Sequence, residues 1–152
     1  MNARTVSKLI LLTIAVSLGA VAASAQTGPY QFYAVAPCRV VDTRGATSTN
    51  GGPALGQNSQ RDFAIRGNCG VPTSAKAVSL NVTITAASTT SFITLWPSGS
   101  ARPLVSTINF TQNDPALANG AIVGVSTASS DLSVYNSSGN VHLILDVTGY
   151  FQ

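Results

Sequence analysis

The chain has 152 residues, of which 9% are charged and 45% hydrophobic. That length fits one domain behind a processed leader, and so apolar a composition excludes a solvated disordered chain. Its acids are five Asp and no Glu, beside one His and two Cys. That leaves two-carboxylate glycosidase chemistry and zinc chemistry few residues to draw on.

In chain order, the first element is a leader. Arg4 and Lys8 precede an apolar run from Leu9 to Ala22, and Ala23-Ser24-Ala25 has the small-x-small form of a cleavage site. These are the three parts of a secretory signal peptide over residues 1–25. The run is shorter than the ~18 residues of a membrane-spanning helix, so no integral span is expected after cleavage. Residues 26–152 then form the mature domain, with six basic and five acidic side chains. Its six cations are scattered, with no concentrated basic face of the kind nucleic acid requires.

Cys38 and Cys69 both fall in the mature region. An exported chain with an even cysteine count is read as disulfide-bonded, the alternatives being free thiols or an intermolecular bridge.

Turn-forming Gly, Pro, Asn and Asp recur at short intervals, and runs such as Pro97-Ser98-Gly99 and Asn119-Gly120 read as turns. Between them lie Gln31–Ala36, Arg39–Thr43, Arg61–Arg66, Lys76–Thr85, Phe92–Leu95, Leu104–Phe110, Ala121–Ser126, Leu132–Asn136 and Val141–Thr148, about nine short strands. The clearest is Lys76–Thr85, where Val78, Leu80, Val82 and Ile84 alternate with small polar residues, the period of a half-buried strand. Val141–Thr148 repeats the alternation. No helical period intervenes, and few connections are long enough for parallel crossovers. The pattern predicts an all-β protein: one antiparallel β-sandwich, jelly-roll or immunoglobulin-like, over 26–152. A membrane β-barrel is the weaker alternative, because the runs are short and aromatics do not recur at strand ends. The polar stretch from Arg44 to Gln60 is expected to be a floppy excursion tethered by a Cys38–Cys69 bridge.

Six blocks carry a family resemblance. They are Ala36-Pro37-Cys38-Arg39-Val40-Val41-Asp42-Thr43-Arg44, Asn68-Cys69-Gly70-Val71-Pro72, Ala77-Val78-Ser79-Leu80-Asn81-Val82-Thr83, Ile108-Asn109-Phe110, Ala118-Asn119 and Asp146-Val147-Thr148-Gly149-Tyr150-Phe151. Together they resemble a secreted bacterial surface module that recurs in exported and cell-surface proteins. The resemblance covers nearly all of the mature chain. It implies an extracellular β-sandwich with a Cys38–Cys69 bridge, and it carries over no established catalytic activity.

Asp42-Thr43-Arg44 is the most chemically loaded spot, since guanidinium and carboxylate pair bidentately. Asp42 and Asp146 are the candidate partners of Arg44, either as a structural network or as a polar floor for a ligand. Asn81, Asn109 and Asn119 suit sugar hydrogen bonding or, more often, the tying of loop backbone. Trp96, Tyr30, Tyr33, Tyr135 and Tyr150 are candidate stacking aromatics. Trp96 ends a strand beside a turn, so its ring either faces a ligand or covers the core with its N–H on a carbonyl. His142 and Asp146 share a strand without the context of an activated nucleophile. No calcium-loop or zinc spacing is present, and no cofactor or metal is expected.

These readings lead to a secreted, non-catalytic interaction module, with carbohydrate or cell-envelope polysaccharide as its concrete ligand. Its candidate binding residues are Trp96, Arg44, Asp42 and Asn81, with Cys38, Cys69 and Asp146 as structural elements. The alternative is a structural or self-associating surface or matrix protein without a small ligand. Polysaccharide or other surface proteins are the expected partners. A hydrolase is a remote third.

Overall fold

Val78, Leu80, Val82 and Ile84 are all buried, and the residues between them are half-exposed, as their alternation predicts. Burying each such side chain contributes roughly 1.5–3 kcal/mol, which fixes the register of the strand that carries them. The computed structural model describes residues 28–152, so the predicted leader at 1–25 lies outside the described residues. Eight strands follow: β1 (Phe32–Asp42), β2 (Ser59–Phe63), β3 (Ala77–Thr85), β4 (Ser91–Pro97), β5 (Ile108–Phe110), β6 (Ala116–Gly124), β7 (Leu132–Asn136) and β8 (His142–Phe151).

They form two four-stranded antiparallel sheets, β1-β8-β3-β6 and β2-β7-β4-β5. The pairs β1–β8, β2–β7, β3–β6 and β4–β5 are nested, like one long hairpin rolled so that its pairs alternate between layers. That order is a jelly roll rather than the ABED/CFG arrangement of an immunoglobulin domain. Phe63, Ile93, Leu132, Val134, Leu143, Leu145 and the β3 row fill the space between the sheets. The filled apolar interior is the inverse of a membrane barrel, whose lumen is polar. No helix among the described residues is long and apolar enough to cross a membrane.

The expected strands shift at four places. Gln31–Ala36 and Arg39–Thr43 are one strand, β1, with register irregularities between Ala34 and Cys38 and between Arg39 and Val41. Pro37 is tolerated there because β1 is an edge strand and the irregularity absorbs its missing donor. Arg61–Arg66 leaves the sheet after Phe63, where Ile65 and Arg66 turn to donate their backbone N–H groups to the Asp131 carboxylate. Leu104–Phe110 joins the sheet only from Ile108; Leu104 projects into solvent at 99% exposure. Ala121–Ser126 begins earlier, at Ala116, because Asn119-Gly120 continues a strand instead of turning.

Cys38 and Cys69 are bonded to each other, their Cα atoms 5.6 Å apart. The expectation that this bridge alone restrains Arg44–Gln60 does not hold. Arg61 donates to the carbonyls of Gly51 (2.9 Å) and Pro53 (2.5 Å), and Asn50 exchanges two hydrogen bonds with the backbone of Ala64. Asn136, fully buried, donates to the carbonyls of Gly139 (2.8 Å) and, within the same stretch, Gly56 (3.1 Å). Among the described residues no buried side-chain nitrogen or oxygen lacks a partner, as a stable interior requires.

Candidate functional site

The outward residues of β1-β8-β3-β6 form one open polar face. Alternation sends Leu143, Leu145 and Val147 of β8 into the core, so His142, Asp146 and Thr148 point out. The antiparallel register sets Arg39, Asp146, Asn81 and Gly120 side by side across all four strands. One step along, Ser79 and Thr148 join hydroxyls at 2.9 Å.

Two ion pairs dominate one side of this face. Arg44 reaches back over its own turn to Asp42, with Nη2 2.6 Å from Oδ2 and Nε 2.9 Å from Oδ1. Arg39 binds Asp146 through Nε at 2.9 Å, and its Nη1 lies 3.6 Å from Asp42. Asp146, Arg39, Asp42 and Arg44 are therefore one chain of alternating charge. Arg39, rather than Arg44, is the link to Asp146. The Arg44 guanidinium, helped by the Arg44 N–H and by Arg39, lowers the Asp42 carboxyl to about 2. The Asp146 carboxylate raises Arg39, and Asp42 raises Arg44.

The other side is a shallow depression of about 540 Å³, bordered by Ser79, Asn81, Gly120, Ile122 and Thr148. Gly120 meets nothing within 4 Å of a would-be Cβ, so backbone floors the hollow. Ile122, 68% exposed, gives it an apolar wall. Asn81 donates its side-chain amide to the Thr83 hydroxyl (3.2 Å).

The expected residues thus divide. Asp42, Arg44, Asn81 and Asp146 share this face. Trp96 does not: it lies on the outer side of the other sheet at 3% exposure, beneath the 99–107 segment, and its Nε1 donates to the Ser100 carbonyl (3.0 Å). Its ring offers no open face for stacking. Asn109 donates to the Ser106 hydroxyl close by, and Asn119 donates across the sandwich edge to the Thr107 carbonyl beside β5. Tyr33 stacks on Tyr150 with ring centroids 5.2 Å apart, closing one end of the sandwich. His142 faces Thr43, with Nδ1 3.0 Å from its carbonyl. Asp146, four residues along and about 13 Å away, is held by Arg39, so the two do not meet. Among the described residues no three His, Cys, Asp or Glu converge as a metal cage would.

Three features escaped the sequence reading: Arg39 as the bridging cation, the Gly120 hollow, and Arg102 stacked 3.6 Å over the Tyr135 ring on the opposite sheet. The first had a signal, since Arg39 and Asp42 stand three apart in one block. The hollow depends on the β3–β6 pairing, which local sequence does not display.

No protein-family model matches the chain, and no curated protein matches it.

Proposed function

We propose that the protein is a secreted, non-catalytic interaction module that binds carbohydrate through the outer face of β1-β8-β3-β6. The observation that carries this reading is the hollow at Gly120, set beside the Asn81 amide and the Asp146–Arg39–Asp42–Arg44 chain. Amide, carboxylate and guanidinium groups are the donors and acceptors that sugar hydroxyls pair with. Ile122 supplies an apolar surface for the C–H side of a pyranose ring. Jelly rolls include lectin domains, an associational support only. The motif blocks shared with secreted bacterial surface modules favour an extracellular place, as does a disulfide, which persists in oxidising compartments.

The test is retention on immobilised cell-envelope polysaccharides and a broad glycan panel, neutral and acidic. Wild type is retained, and Asn81→Ala and Arg44→Ala each lose at least ~10-fold in affinity, about 1.4 kcal/mol, with unchanged unfolding midpoints. Trp96→Phe, away from the face, keeps its retention. No binding by wild type across the panel, or full binding by both face variants, overturns the reading.

A further inference from the structure

Four strands end the two sheets: β1 and β6 in one, β2 and β5 in the other. An open strand edge presents unpaired N–H and C=O groups to other chains, and proteins blunt such edges with charge, bulges, brevity or cover. Three of the four are blunted here. β1 carries Arg39 and Asp42, has two register irregularities, and is stapled to the turn at Cys69. β2 is flanked by the 46–53 loop, whose carbonyls Arg61 holds. β5 is three residues long. β6 has no charge, bulge or shortness to blunt it, and its Asn119 side chain reaches the Thr107 carbonyl on the side of the other sheet. The strand is nine residues, Ala116–Gly124, with no break in its register with β3, and its first five residues are exposed.

We propose that a second copy of this chain adds to β6, antiparallel, about a two-fold axis at Gly120. The axis position follows from the strand itself. Pairing all nine residues with their own copy requires the middle residue to face itself, and that residue is Gly120. No side chain there holds the two backbones apart. On the outer side Ala118 faces Ile122 of the partner subunit; on the inner side Leu117 faces Val123 of the partner subunit. Small meets large on the outer side, and no like charges oppose. Ile122 and Leu117, the large exposed apolar side chains of the strand, both gain apolar neighbours. An uncharged edge offers a charged foreign strand nothing to pair with, whereas its own copy matches it along its whole length. Six cations against five acids in 26–152 leave little repulsion to oppose the association.

The result is one continuous eight-stranded sheet. The Arg39–Asp146–Asn81–Gly120 rows of the two copies then run end to end across the axis.

Sedimentation of the protein over a range of concentrations tests the dimer. Dimer is expected to grow with concentration, and a monomer persisting to about 1 mM overturns the proposal. The register is tested by charge. Ala118→Lys combined with Ile122→Lys sets like charges at both facing outer pairs and weakens the dimer at least ~10-fold. Ala118→Glu combined with Ile122→Lys sets opposite charges there, so the dimer is retained and becomes salt-sensitive. Both positions are exposed, so circular dichroism stays native. As a second readout, Gly120→Cys forms an inter-chain disulfide under oxidation, because facing residues lie about 4.5–5.5 Å apart. Ala116→Cys places its thiols roughly 27 Å apart and forms none. Equal dimerisation by both charge variants, or equal cross-linking at both cysteines, overturns the two-fold at Gly120.

Discussion

Arg39 and Asp146 face each other in register across β1 and β8, Nε 2.9 Å from Oδ1. The same guanidinium is 3.6 Å from Asp42, which Arg44 binds from the far side. Nearly half of the Arg39 side chain is open to water, and exposed pairs contribute only about 0.2–1 kcal/mol. A double-mutant cycle of Arg39→Ala and Asp146→Ala, read by urea unfolding, is therefore expected to give a coupling below about 1 kcal/mol. A coupling well above that would mean the charges are desolvated and hold the fold together, rather than patterning its surface.

The Asp42 carboxyl supplies a pH prediction. Hydrogen bonds from Arg44 lower it from 3.8 to about 2 in the folded chain. Folding then disfavours its protonation, so its stabilising contribution is complete above about pH 4 and disappears as pH falls toward about 2. The contribution is small because water surrounds the pair. A carboxyl-carbon NMR titration reads it directly. Arg44→Ala is expected to move the Asp42 midpoint up toward its ordinary value. A wild-type midpoint near 4 would contradict the Asp42–Arg44 contact.

The Cys38–Cys69 bridge and Arg61 act on the same stretch of chain by different physics. The bridge closes a ring over 31 positions, worth roughly 3.5–4 kcal/mol through the unfolded chain. Replacing both cysteines with Ala is expected to lower global stability by about that amount while leaving amide protection in the 46–53 loop intact once the chain is folded. Arg61→Ala does the reverse. It frees the Gly51 and Pro53 carbonyls, costs about 1 kcal/mol globally, and speeds hydrogen exchange in that loop. Equal loss of loop protection in both variants would show that the bridge orders the loop after all.

The sheet architecture was legible because Val78–Ile84 and Val141–Val147 alternate cleanly, and one buried face leaves a strand no freedom of register. The eight-strand count was less so. Pro37 looks like a strand break unless β1 is known to be an edge, and Asn119-Gly120 looks like a turn unless Asn81 is known to lie opposite. Both facts are tertiary. The candidate face was half legible. Asp42, Arg44, Asn81 and Asp146 advertise their chemistry by type, yet which cation reaches Asp146 depends on strand register. Trp96 was ambiguous for a related reason. Its place beside a turn says nothing of the 99–107 segment that folds back and buries it.

Asp131 shows what a charge does in this fold when it is buried. Its carboxylate accepts backbone N–H groups from Ile65 (2.6 Å) and Arg66 (2.7 Å), and it pairs with the Arg66 guanidinium. That guanidinium in turn donates to the carbonyls of Ser126 and Thr73. One acid thus pins the chain leaving β2 to the loop before β7. The Asp131 side chain is only 6% exposed, so removing it strands a cation with little water to replace the partner. Breaking such a pair costs about 3–5 kcal/mol when fully buried; with Arg66 one-fifth exposed, Asp131→Ala is expected to cost about 2–4 kcal/mol. Asp131→Asn keeps the shape and one acceptor for the two N–H groups, so it is expected to lose less. The Arg66→Ala and Asp131→Ala changes are expected to be strongly non-additive, and urea unfolding of the four chains measures this. Additive losses would mean that the backbone contacts alone carry the Asp131 contribution and that the Arg66 charge is solvated.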